Sequence, residues 1–397
     1  MPADRQRLRR RQPRPAGMTS LATTLAPTVA RPHLVVRGQD IPVILPSKRD
    51  PRLRLSAVIM TLHVLGQTML GFKVSIAQIL VCIGVGALID GTVTYRRQHV
   101  LAWPASGILT GSGVAFVLRA SGTDNGDWWS LNGIHFFVIA VVLALLSKHL
   151  IRPGGRHLFN PSNVGLVWAL LVIGPNHVFP QYLWWGPNDL GVALAYAVIL
   201  AGGFWVLRPV RMAPMAVSYL ATFAVLIGAF AASGSTFIAI WHDGPISGLS
   251  YWANIALSPE LLVFVFFMMS DPQTAPRSPR GRVVYGMATA VLTAGLVYFQ
   301  PTEFGIKLAI LSSLVVVCAA VPLIEQRTRP VADVDTDDEV TPLPRPWPTR
   351  VAAAAANPAI IAAAIITLAA PLNTAALAGN DQLILIERGL TADGNPQ

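Results

Sequence analysis

The chain has 397 residues, 53% of them hydrophobic and only 13% charged, with a mean hydropathy of +0.52 and a formal net charge of +10. Soluble domains carry about 25% charged residues, so this composition excludes a disordered chain and points to an all-α polytopic membrane protein. Cys82 and Cys318 both lie in apolar runs, which excludes a disulfide framework, a CxxC metal site and an iron–sulfur centre.

Residues 1–54 are basic and proline-bearing without sustained periodicity, and are expected to form a disordered cytoplasmic tail. The cluster from Arg5 to Arg14 suits contact with anionic lipid. No apolar run follows it, so it does not read as a signal peptide, and a start at Met1 or at Met18 fits equally. A membrane-crossing helix needs about 20 mostly apolar residues. The stretches that qualify are 55–72, 74–95, 100–119, 133–151, 161–175, 189–207, 212–233, 260–270, 283–300 and 305–325. The fifth and eighth are short, and each abuts a polar proline motif. An acidic, Pro-rich linker at 331–350 leads to an Ala-rich eleventh candidate, 351–372, which leaves 351–397 as a C-terminal helix with a short outer tail.

With a cytoplasmic N-terminus, the inner segments hold 26 of the 30 Lys and Arg. This is the asymmetry of the positive-inside rule. It sets a multi-pass chain in a bacterial plasma membrane, with the C-terminus outside if the eleventh span crosses. The outer loops carry Trp128, Trp129, Trp184, Trp185, Trp241 and Trp252, which suit the interface. The positive charge therefore reflects topology and contact with the lipid bilayer, and no nucleic acid is expected as a partner.

Two places join an apolar run to a polar, proline-bearing motif. One runs from Lys148-His149 through Asn160-Pro161-Ser162-Asn163 to Gly165, and the other from Met268 through Asp271-Pro272-Gln273-Thr274 to Arg282. Asn160 and Asp271 are good N-caps, and proline suits the first helical turn. Broken helices in corresponding places of two halves mark binding sites in membrane proteins. Capped helices between loops, with no ligand, have the same appearance in sequence. In the third span, Ser106, Thr110 and Ser112 with Gly107, Gly111 and Gly113 form a small-residue face, suited to close packing or to a polar site. Asp90 closes the second span, while His63 and His135 stand alone, so no metal site is expected. Walker A, GxGxxG and GxSxG motifs are absent, which leaves ATP-driven pumping and serine-hydrolase chemistry without support.

At these residues the chain resembles the RnfD/NqrB family, membrane subunits of the Rnf electron-transport complex and of the sodium-pumping NADH:quinone oxidoreductase. The likeness runs over about 55–330. It is carried by Ser106 to Gly111, by Lys148 to Gly165, by Phe266-Phe267-Met268-Met269-Ser270-Asp271-Pro272 with Pro279-Arg280-Gly281-Arg282, and by Val321-Pro322-Leu323-Ile324-Glu325 to Pro330. The resemblance implies ten transmembrane helices in two similar five-helix halves, 55–180 and 181–330, as in urea transporters. It also implies electron transfer through flavins.

In that family a D-x-x-S-G-A-T motif after the fifth span holds FMN covalently. Residues 174–189 contain no such motif. The resemblance therefore implies FMN or riboflavin held non-covalently, by Asn160, Pro161, Asn163, Asp271, Pro272, Thr274, Ser106 and Thr110, in contact with other membrane or redox subunits. The alternative is a transporter that keeps the fold without redox function. The basic tail and Arg/Ala/Pro-rich usage are similar to a diverged branch associated with enediyne biosynthesis.

Overall fold

The computed structural model describes residues 32–328, apart from 37–38, 48–49 and 153–154. The segment before residue 32, the acidic linker and the apolar run at 351–372 lie outside the described residues.

Strands β1 (His33–Val36) and β2 (Gln39–Ile44) precede helices α1 (Pro51–Thr68) and α2 (Ile76–Gln98). Then come β3 (Leu101–Ala102), α3 (Ala105–Val117), β4 (Leu118–Ala120), α4 (Ile134–Leu150) and α5 (Pro161–Trp168). After β5 (Val178–Pro180) follow α6 (Leu190–Val210), α7 (Ala213–Ala232), α8 (Gly248–Ala256) and α9 (Pro259–Val263). The described chain closes with α10 (Pro279–Val297) and α11 (Glu303–Arg327). Both α5 and α9 run directly into a π-helical turn, at Ala169–Ile173 and Phe264–Met268.

One local rule starts four helices. In Asp50-Pro51, Asn160-Pro161, Ser258-Pro259 and Ser278-Pro279, the first side chain accepts a backbone N–H of the first turn. The proline that follows gives up an N–H the helix does not need there. Helix α2 opens instead with a full capping box between Ser75 and Gln78.

Five stretches are long and apolar enough to cross a membrane: 76–98, 190–210, 213–232, 248–268 and 303–327. Large apolar side chains such as Leu88, Phe204, Val217, Val225 and Leu249 stand exposed on them. A soluble surface does not tolerate that much bare hydrocarbon, whereas lipid does. The protein is membrane-embedded and mostly helical.

The structure departs from the sequence expectation in three places. Residues 33–44, assigned to a disordered tail, form the β1–β2 antiparallel pair, and β2 continues in parallel with β3. The eighth apolar stretch does not begin at 260: it starts at Gly248 and breaks at Leu257-Ser258 between α8 and α9. Asp271 caps no helix. Its Oδ1 accepts from Gln273 N at 2.9 Å, and a single turn follows. Pro276 and Pro279 supply no N–H and disfavour α geometry in the residue before them, so helix resumes only at Pro279.

Strands β4 and β5 pair antiparallel with every residue buried. Extended backbone inside a membrane protein survives only when its polar groups are satisfied by protein, and here each strand satisfies the other.

Candidate functional site

The four sequence motifs, far apart in the chain, meet at one end of the helix bundle. Arg156 is the hub. Its Nε donates to Gln273 O at 3.0 Å, and its Nη2 donates to Pro272 O and Ala275 O, each at 3.0 Å. Its Nη1 reaches Glu325 Oε1 at 3.4 Å, and the same oxygen accepts from Arg277 N at 3.2 Å. A guanidinium's rigid fork of donors suits carbonyls presented on one turn. Gly155, at φ +79°, allows the preceding loop to bend in a way that a side chain would resist. Beside Arg156, His157 Nε2 lies 3.0 Å from Asp271 Oδ2.

Asn160 ties the same two segments deeper in. Its Nδ2 donates to Met268 O at 2.9 Å, while its Oδ1 accepts from Ser162 Oγ and from Asn163 N. Asn163 Nδ2 donates to Leu311 O of α11 at 2.7 Å, and its own Oδ1 is buried without a partner. Thr274 Oγ1 donates to Asp271 O at 3.3 Å, and its side chain meets the Tyr285 hydroxyl, which lies 3.6 Å from Cys318 Sγ.

The third motif flanks this clasp. Lys148 Nζ donates to Asp90 Oδ1 at 2.5 Å, His149 Nε2 is 3.1 Å from the same oxygen, and Gly107 N donates to Asp90 Oδ2 at 3.0 Å. Ser106, Thr110 and Gly113 share one face of α3. A Cβ at Gly113 would lie 3.2 Å from Ser162, so that face looks onto the first turn of α5. Thr110 Oγ1 spends its hydrogen on Ser106 O within its own helix.

The sequence-derived residues are therefore brought together, with unequal capacity to bind anything more. Asn160 is fully engaged, and Pro161 and Pro272 act through the backbone. Asn163 Oδ1 is an acceptor still to be filled. Among the described residues no three His, Cys, Asp or Glu side chains gather as metal ligands, and both cysteines are buried and unbonded.

A second polar cluster, at the opposite end of α11, is not found by sequence reasoning. Glu260, on the first turn of α9, is ion-paired with Lys307 of α11 and accepts from Trp185 Nε1 at 3.0 Å. Glu303 accepts from Leu183 N at 2.6 Å and from Trp241 Nε1 at 2.9 Å. The signal is present only as charged residues beside apolar runs, where they read as loop or interface charges.

Residues 178–332 match the model of the NQR2, RnfD, RnfE family. The RnfD-type subunit of the ion-translocating oxidoreductase complex of Haemophilus influenzae strain Rd is 32% identical over 148 residues, covering 37% of this chain and 35% of that protein. Its counterpart in strain PittEE is 31% identical over 148 residues with the same coverage. The matched region spans about a third of the length of these curated relatives. The family segment runs from β5 to just beyond α11 and contains Asp271, Arg282 and Glu325, whereas the Asn160 motif precedes it. Through residues 178–332 the chain belongs to the NQR2, RnfD, RnfE family.

Proposed function

We propose that this protein is a membrane subunit of an ion-translocating electron-transport assembly and holds a flavin non-covalently where the two proline motifs interlock. The observation that carries the reading is the clasp itself. Arg156, His157 and Asn160 of one motif engage residues 268–275 of the other, so motifs from both parts of the chain build a single structure within a family whose relatives are named for electron-driven ion movement. The fold proposed with it is ten membrane-inserted helical stretches in two similar halves, in a plasma membrane, with the N-terminus inside. Ten apolar helical stretches in the described chain support this, if α8 and α9 are taken as one.

The residues fit a flavin in part. The buried, unpartnered Asn163 Oδ1 could accept from a ring N–H, with Thr274, Ser106 and Thr110 on the surrounding surfaces. Bound flavin would supply one- and two-electron redox chemistry, while the protein positions it and excludes water. A second reading, a transport or scaffolding subunit without a redox carrier, is favoured by one observation: Asn160 has both ends of its carboxamide engaged within the protein.

The deciding experiment is the visible absorption spectrum of detergent-purified protein, followed by acid precipitation. Flavin released to the supernatant in near-equimolar amount, and lost in Asn163→Leu, supports the first reading. A colourless preparation gives the second.

A further inference from the structure

Glu260, Lys307, Glu303 and Arg119 are exposed by only 3%, 2%, 5% and 3%. Ionisable groups buried inside membrane helices are costly and call for a functional account. They come from three elements, β4, α9 and α11, and the short segment 183–185 ties both carboxylates together. The Leu183 amide holds Glu303 and the Trp185 indole holds Glu260. Glu303 and Lys307 stand one turn apart on the same face of α11, so the ammonium paired with Glu260 can also reach Glu303.

Two further facts point to a second arrangement of the same groups. The donors named on Glu303, a backbone amide and an indole, are neutral. Arg119 lies close enough for its charge to act on Glu303, yet its Nε and Nη1 are buried without a hydrogen-bond partner, and its guanidinium packs 4.3 Å over the Tyr182 ring. Spare donors beside a buried carboxylate are a place for that carboxylate to turn when it is ionised.

We propose that Glu303 and Glu260 form a proton-transfer couple that shares Lys307. In one state Glu303 carries a proton and Lys307 pairs with ionised Glu260. In the other the proton has moved to Glu260, and Lys307, with Arg119, pairs with ionised Glu303. One carboxyl O–H bond breaks and one forms, the lysine remains an ammonium throughout, and no electron moves. The groups facing Glu303 are Lys307 on its own helix, Arg119 from β4 and, beyond Lys307, Glu260 from α9. The inference deepens the ion-translocating reading by naming the ion at this layer as a proton, and it rests on that reading only for its physiological role.

The test is infrared difference spectroscopy of the purified protein across neutral pH, in the carboxylic-acid C=O region, in H2O and in D2O. Wild type should show one buried carboxylic-acid band. Glu303→Gln and Glu260→Gln should each abolish it, because the remaining carboxylate keeps Lys307 to itself. Lys307→Arg should retain the band, and Lys307→Met should raise it about twofold, since neither carboxylate then has an ammonium partner. No band in wild type would mean a permanently ionised structural network and would overturn the proposal. A band that survives Glu260→Gln would overturn it too, since Glu303 would then hold its proton alone. Gel filtration identifies any variant that fails to fold, and the two Gln variants with Lys307→Arg decide the matter without Lys307→Met. The measurement needs neither flavin nor an electron donor. A flavin-free preparation with the expected bands keeps the couple and removes the redox reading, and a flavin-loaded one without them does the reverse.

Discussion

His157 Nε2 and Asp271 Oδ2 lie 3.0 Å apart although 114 positions separate them in the chain. The contact fastens the turn after α9 to the loop before α5, and Asp271 at the same time caps its own turn through Gln273 N. Asp271→Ala removes both interactions and should destabilise the protein by about 1–3 kcal/mol. Asp271→Asn keeps an acceptor for each and should cost clearly less. Thermal unfolding in one detergent, run on both variants, separates the two roles.

Arg156→Lys tests whether the hub works by charge or by shape. An ammonium preserves the charge near Glu325 but cannot serve three carbonyls on one turn. Its thermal midpoint should fall nearly as far as that of Arg156→Ala, by a few degrees, corresponding to about 2 kcal/mol. A Lys variant that melts with wild type would show that attraction to Glu325 is the main term.

Helices α2 and α3 touch backbone to backbone through glycines. A Cβ placed on Gly111 would collide with Cys82 O, and one on Gly107 with Gly86 O. Gly111→Ala should therefore force the helices apart and cost about 1–3 kcal/mol. Gly84, in the same α2, has nothing within 4 Å of its would-be Cβ. Gly84→Ala should be neutral or stabilising by about 0.5–1 kcal/mol. Opposite signs for two identical substitutions would establish the contact.

Asp50, at the start of α1, titrates under the influence of Arg52. The guanidinium hydrogen-bonds the carboxylate and holds it below the usual carboxylate range, against a smaller opposing effect of burial. A carboxyl with a lowered folded-state pKa contributes stability above its unfolded value, near 3.9, and loses it as pH falls through the folded value. The difference in melting temperature between wild type and Asp50→Asn should be present at neutral pH and close as pH falls toward about 3.

Much of this architecture is legible in the sequence, because hydropathy and proline punctuation act locally. All ten apolar stretches correspond to helix, and Asn160-Pro161 starts one as its residue types dictate. The break at Ser258-Pro259 escapes because a 20-residue window averages over it, and hydropathy alone does not distinguish a bent helix from a short one. Asp271-Pro272 imitates a helix start, but prolines four and seven positions later leave it one turn long. The Glu260–Lys307 pair is illegible for a different reason. Its members are 47 positions apart, and each alone looks like a charge at the edge of a span. Arg119 and Lys307 read as loop charges, and only tertiary packing encloses them.

The π-helical turns at Ala169–Ile173 and Phe264–Met268 each accommodate one residue more than an α-helical turn would. Removing a single residue from Phe264–Met268 would let that turn relax to α geometry and swing everything beyond it by about 100°. Asp271 would then face away from His157, and the carbonyls that Arg156 grips would turn with it. The surplus residue is thus the setting that indexes the second motif to the first, and a one-residue deletion there should be harder to tolerate than most substitutions around it.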